Sequence, residues 1–285
     1  MPIDPKKALG AELGEGEYSW TAADVILYPL GIGAGDPPTD PGELEYTYEK
    51  NLKVLPSFGV IPVFGALGKL GSAPGLSFNF AMLLHGEQEI VLHRPIPTAA
   101  TVVNRGRVAE LWDKGKACLC VLEVETRLVD GGEPLFTNRF GLFLRGEGGF
   151  GGEPGPKPGN EPPARPPDGV IETPTLPQQA LIYRLSGDKN PLHADPDFAK
   201  MGGFDRPIIH GLCSFGIVCK AIVDHVLGGD TTKVARYAVR FRGVGFPGET
   251  YLTSYWKEGD RIVIEAKSKQ RDQVLISNAA ITLRG

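Results

Sequence analysis

Between Gly148 and Gly169, 14 of 22 residues are glycine or proline, in the run GGFGGEPGPKPGNEPPARPPDG. Neither a helix nor a strand ladder survives that density, because proline removes backbone donors and glycine raises the entropic cost of ordering. The chain must therefore fold in two parts joined by an extended linker, from about Gly148 to Asp168. Residues 1–147 form one part and 169–285 the other, which suits a chain of 285 residues at roughly 150 per domain.

The two parts repeat each other. Ser57-Phe58-Gly59-Val60-Ile61 matches Ser214-Phe215-Gly216-Ile217-Val218 at an offset of 157. Ile26-Leu27-Tyr28-Pro29-Leu30 resembles Leu181-Ile182-Tyr183-Arg184-Leu185 at an offset of 155. Phe143-Leu144-Arg145-Gly146 and Thr282-Leu283-Arg284-Gly285 end the halves alike. Three matches in one order point to an internal duplication.

Each half reads as short helix, irregular loop, longer helix, then strands. Thr21 and Asp24 suit a capping box for the first short helix, and Pro177 suits the first turn of its counterpart. Leu212, Phe215, Cys219, Ile222, Val223 and Val226 recur at helical spacing over Gly211 to Leu227, and Gly228-Gly229 end that run. Strands are expected at Ile90 to His93, Thr101 to Trp112, Ala117 to Val129 and Leu135 to Leu144. In the second half they are expected at Val234 to Phe241, Thr250 to Trp256, Arg261 to Lys267 and Val274 to Leu283. The fold class is α+β, a sheet wrapped round a long helix in each half. Strand edges of the two halves are placed to join in one sheet.

Lys+Arg 30 against Asp+Glu 34 leaves a net charge of −4, which disfavours a nucleic-acid binder. The longest apolar stretch carries Lys220, Asp224 and His225, too many charges for a membrane span. The first ten residues have no apolar core and the last three are not Ser-Lys-Leu, so a cytoplasmic protein is expected. Cys118, Cys120, Cys213 and Cys219 make no disulfide framework, and a reducing compartment fits.

The chemistry concentrates in Ser186-Gly187-Asp188-Lys189-Asn190-Pro191-Leu192-His193 and, eighteen residues on, Gly211. On a helix Asp188 and His193 would diverge by about 140°. Pro191 biases Asn190 away from helical geometry, so a loop can aim both side chains at one spot. Asn190 offers an amide to hold a water. Gly211 opens the long helix, where unpaired N–H groups suit an oxygen gaining negative charge. Together these are the parts needed to add water across an α,β-unsaturated thioester.

The run YRLSGDKNPLHADPDFAKMGGFDRPIIHG, Tyr183 to Gly211, resembles the signature of the (R)-specific, or type 2, enoyl-CoA hydratases and MaoC-like dehydratases. That family includes the hydratase part of the peroxisomal multifunctional enzyme. The likeness extends to the first half through YTYEKNLKVLPSFGVIP, LLHGEQEIVLHRPIP, DKGKACL and GLFLRGEGGFGG. It implies a double hot dog fold, with Asp188 and His193 as the acid–base pair. It further implies Asn190 as an aid in orienting water and Gly211 as N–H donor to the thioester oxygen. His85, Gly86, Lys114 and Phe241 are placed along the acyl-CoA site, while Tyr183 is read as core with some contact to substrate. Lys189 carries no role. The resemblance implies a homodimer and no metal or redox cofactor, CoA being part of the substrate. Two rivals are a dehydratase acting on carrier-protein thioesters and a non-catalytic acyl-thioester binder, the latter disfavoured by an intact GDKNPLH.

At an offset of 155, Asp188 falls on Gly33 and His193 on Pro38, so the first half lacks the chemical groups and is expected to bind the acyl chain. Gly31-Ile32-Gly33-Ala34-Gly35 leads into Asp36-Pro37-Pro38 and not a helix, so it is no dinucleotide loop. Cys118 and Cys120 lack a second pair for zinc. His93, His210 and His225 have no spacing that suggests ligation.

Overall fold

A computed structural model describes residues 3–285. Ten strands form one antiparallel sheet: β1 (Glu12–Trp20), β2 (Leu83–Leu92), β3 (Ala100–Asp113), β4 (Ala117–Leu128), β5 (Pro134–Arg145), β6 (Gly169–Pro174), β7 (Val234–Phe241), β8 (Thr250–Glu258), β9 (Arg261–Ser268) and β10 (Val274–Leu283). Their order is β1-β3-β4-β5-β2-β7-β10-β9-β8-β6. Read outward from the centre, each half runs through its second, fifth, fourth, third and first strand. The duplication is therefore visible in the topology. Two strands escape the alternation seen in the sequence, β1 and β6, and both lie at the outer edges. The seam is the antiparallel pair β2 and β7, with Gln88 opposite Val239 and Ile90 opposite Tyr237.

That order explains the linker. From β5 to β6 the chain must cross six strand spacings, about 29 Å at ~4.8 Å each. The 23 residues between Arg145 and Gly169 hold no helix or strand, and extended they reach about 75 Å. They lie along the sheet: Glu153 O accepts from the Asp113 N–H at 2.8 Å, Gly159 O from Asn278 at 3.0 Å, and Arg165 O from the Trp256 indole at 2.9 Å.

The long helix runs Gly211–Leu227, and 12 of its 17 residues are buried, so its apolar face extends nearly all round. Phe215 stacks on Tyr237 of β7, with ring centroids 4.2 Å apart. On another side Gly216 meets the first half, where a Cβ would lie 2.6 Å from the Tyr28 hydroxyl and 2.8 Å from Ile32 Cγ2. Gly228 ends the helix at φ 67°, a left-handed position that suits glycine. One hydrophobic core runs through both halves.

The first half departs from expectation because it has no counterpart to this helix. Its matching segment makes a 3₁₀ turn, Pro56–Val60, and a five-residue helix, Phe64–Gly68. Pro56 and Pro62 lack donors, and Gly59, Gly65, Gly68 and Gly71 penalise a continuous helix. The Ala22–Gly31 helix is as expected, with the Asp24 carboxylate accepting from the Thr21 N–H at 2.8 Å. Among the described residues no helix is long and apolar enough to cross a membrane.

Gly216→Ala should destabilise the protein by about 1–3 kcal/mol, because the added methyl overfills the contact between halves. Chemical denaturation of the two proteins measures this, and an unchanged midpoint would contradict the packing described.

Candidate active site

The loop holding Asp188 and His193 is shaped by its own side chains. The short helix Gln179–Tyr183 passes into a 3₁₀ turn, Arg184–Ser186, and Gly187 turns the chain at φ 137°. Asp188 Oδ1 accepts from the Asn190 N–H at 3.1 Å. Asn190 Oδ1 accepts from the Leu192 N–H at 3.0 Å, capping the 3₁₀ turn Pro191–His193. Asn190 is extended, φ −53° and ψ 124°, as the residue before a proline should be. The segment is thus a curled loop, and Asp188 and His193 converge despite their spacing.

His193 is buried, and its Nδ1 lies 2.9 Å from the Ile208 carbonyl. A carbonyl only accepts, so Nδ1 carries the proton and the neutral ring keeps a lone pair on Nε2. Asp188 is half-buried. A third side chain joins them: His210 stacks on His193, with centroids 3.7 Å and ring planes 29° apart. His210 Nε2 also donates to the Asp188 carbonyl at 3.2 Å. The functional nitrogens and carboxylate of Asp188, His193 and His210 all lie within 4.8 Å of one another. Sequence spacing missed His210. Its only signal was its place immediately before Gly211, at the start of the long helix.

The same trio invites comparison with a metal site. An ion must lie in the plane of each imidazole that binds it, at about 2.0–2.1 Å from nitrogen. Stacked rings cannot share one ion without turning. The geometry suits proton chemistry better than ligation.

Gly211 is exposed at the helix start, where first-turn N–H groups lack intrahelical partners. A Cβ on it would meet the Phe241 ring at 3.5 Å. Phe241 in turn meets the half-buried His85 ring edge-on at 5.2 Å. His85 Nε2 lies 3.0 Å from the Glu87 carbonyl. Gly86 sits in a β-bulge against β5, where a Cβ would come within 2.5 Å of Phe143. His85, Gly86, Phe241 and Gly211 thus form one contiguous stretch leading to the dyad.

Two expected residues lie elsewhere. Lys114, in the turn between β3 and β4, donates to Pro154 O of the linker. It lines a groove with Trp112, Arg139 and Arg240, at the same end of the sheet as His85 but apart from Asp188. Tyr183 is buried behind His210, ring centroids 4.9 Å apart, so its place is in the core rather than on an open surface. A groove of about 370 Å³ is lined by Leu13, Ile61, Pro62, Phe64 and Ala66, in and near the shortened first-half segment. It reaches Ser186 and Gly187 at the start of the Asp188–His193 loop.

Comparison with known proteins places the chain in a family. The MFE-2 hydratase 2 N-terminal domain family matches residues 18–146, and the MaoC-like domain family matches 159–279. The enoyl-CoA hydratase ChsH3 of Mycobacterium tuberculosis is 44% identical over 97% of both chains. The chain belongs to the hydratase 2 and MaoC-like family. The peroxisomal enoyl-CoA hydratase 2 of Arabidopsis thaliana is 42% identical, covering 97% of this chain and 94% of its own. A crystal structure of a MaoC-like dehydratase from Phytophthora capsici superposes with TM-score 0.88 at 33% identity, over 99% and 98% of the two chains. This family has a hot dog fold, here doubled within one chain.

Burial holds three histidines of this hydratase-family site neutral. It lowers His85 to about 4, partly offset by the Glu87 carbonyl and Gln88. It lowers His193 as well, against the opposing pull of the Ile208 carbonyl and Asp188. Burial, reinforced by nearby His193, brings His210 to about 2. In the unfolded chain each histidine gains its proton near pH 6.5. The unfolded state therefore binds more protons below that pH, and stability must fall as pH drops. The unfolding midpoint should decline between about pH 7 and pH 5, above the range of ordinary carboxylates; a flat thermal-melt profile would contradict the neutral cluster.

Proposed function

We propose that this chain catalyses reversible hydration of trans-2-enoyl-CoA to (3R)-3-hydroxyacyl-CoA in fatty-acyl metabolism, without metal or redox cofactor. The observation that carries the reading is the convergence of Asp188 and His193 beside the exposed start of the long helix. A water between them would meet two acceptors, the Asp188 carboxylate and the Nε2 lone pair of His193. Its oxygen adds to Cβ of the conjugated thioester as His193 takes a proton. The electron pair moves onto the thioester oxygen, which the Gly211 N–H stabilises. Returning a proton to Cα completes the addition and restores the neutral imidazole. The (R) outcome follows the family resemblance.

Support for the first half as the acyl-binding half comes from its groove, which abuts Gly187 and holds neither acid nor base of the dyad. His85, Gly86 and Phe241 line the approach to Gly211, and Lys114 further along the sheet offers a cation to the CoA phosphates. Asn190 spends its carbonyl oxygen on the loop, leaving its amide N–H₂ to orient water. All four cysteines are buried free thiols, which suits a reducing compartment such as the cytoplasm. A homodimer is part of this reading, and light scattering on the purified chain tests it.

Asp188→Asn and His193→Ala should each lower turnover at least about a hundredfold while substrate binding persists. The assay is loss of the enoyl thioester absorbance, run with CoA and carrier-protein substrates; near-normal turnover in either variant sinks the assignment. Gly211→Pro tests the N–H separately. Proline is tolerated at a first helical position, and His210 at φ −58°, ψ 138° already has the conformation required before it. This variant should fold yet lose about 10²–10³-fold in turnover.

Gly65 borders the groove, and a Cβ there meets nothing within 4 Å. Gly65→Leu should raise KM for long-chain enoyl-CoA and leave short-chain turnover unchanged. Equal effects on both lengths would remove the acyl chain from this groove.

A further inference from the structure

One buried side chain touches both members of the dyad, and the hydration steps do not use it. His210 is 1% exposed. Its ring stacks on His193 at 3.7 Å and packs against Tyr183 at 4.9 Å. Its Nε2 lies 3.2 Å from the Asp188 carbonyl. Because a carbonyl only accepts, Nε2 carries the proton and Nδ1 is a bare lone pair. That Nδ1 is buried with no hydrogen-bond partner. Such a ring has nothing to exchange a proton with on its second nitrogen, so relay chemistry is a poor account of it. Its own peptide carbonyl accepts from Ser214 N–H at 3.1 Å, beginning the long helix. The peptide unit from His210 to Gly211 also bears the N–H assigned above to the thioester oxygen.

We propose that His210 is a positioning residue for the hydration reaction, a neutral imidazole that holds the His193 ring plane by stacking and the Asp188 loop by hydrogen bonding. The proposal rests on the hydratase reading. One side chain thereby ties both halves of the acid–base pair to the start of the helix that supplies the oxyanion donor. The charged and titratable groups around it are Asp188, His193, Arg184 and Tyr183. Burial first, and then His193, keep it uncharged. Stacked on His193, packed against the tilted Tyr183 ring and bonded at one nitrogen, it has no freedom to approach substrate. Its effect must pass through the groups it holds.

Three substitutions separate its contacts. His210→Phe keeps a flat ring for the stack and removes the donor; His210→Gln keeps a donor and removes the ring; His210→Ala removes both. Misplacing catalytic groups by about 1 Å costs on the order of 10²-fold. The Ala variant should therefore lose roughly that much in kcat with KM for enoyl-CoA unchanged. Phe and Gln should each recover part of the loss. Wild-type kcat in the Ala variant would overturn the proposal, and so would a loss confined to KM. Equal losses in all three variants, tracking loss of folded protein by circular dichroism, would make His210 merely structural and also overturn it. If the Ala variant does not fold, Phe and Gln decide the matter on the same criteria. An inactive wild-type protein would sink the hydratase reading itself, whereas an active wild type with unaffected variants sinks only this inference.

Discussion

Burial of the Gly211–Leu227 helix on nearly every side is the interaction on which the other features hang. A helix this apolar cannot rest on one sheet face and leave its other side in water. The second half covers it with β7 and its neighbours, while the first half covers it with Tyr28 and Ile32 pressed against Gly216. The halves cannot then be independent folding units, and a single core runs through both. The same packing fixes where the helix begins. Its first N–H groups emerge at the surface beside the loop that holds Asp188 and His193, so core packing and the geometry of the candidate site share one origin.

Duplication followed by loss on one side accounts for the difference between the halves. Both halves keep the strand order, but only the second keeps the long helix. In the first, prolines and glycines from Pro56 to Gly71 shorten it to a 3₁₀ turn and a five-residue helix. Residues of this shortened segment, Ile61, Pro62, Phe64 and Ala66, line the groove beside Gly187. The first-half groove and the loop of Asp188 and His193 thus lie in different halves and meet at Ser186 and Gly187. The linker follows from the same topology. It joins strands six positions apart and is tied to the sheet it crosses through Glu153, Gly159 and Arg165.

Particular residues show how much could be read beforehand. The bounds of the long helix, β7 and β10 follow from apolar spacing and from the glycines and turns that end each run. The loop character of Asp188 to His193 follows from Pro191 alone. β1 and β6 were not legible, because edge strands are half-exposed and lack clean alternation; the burial of β1 is irregular along its length. The expected long helix of the first half failed because a short sequence match to the second half outweighed the breakers around it. His210 went unrecognised because its partners, Tyr183 and His193, lie 27 and 17 residues away along the chain.

By itself the sequence determined the long helix, most of the inner strands, the duplication and the family, since periodicity, breakers and the Tyr183–Gly211 run are local properties written in neighbouring residues. Only the tertiary structure decided that β2 and β7 join the halves, that the first-half groove opens beside Gly187, and that a second imidazole, His210, stacks on His193. Those are contacts between segments far apart in the chain. They arise from burying one helix from two sides, a condition that no window of sequence contains.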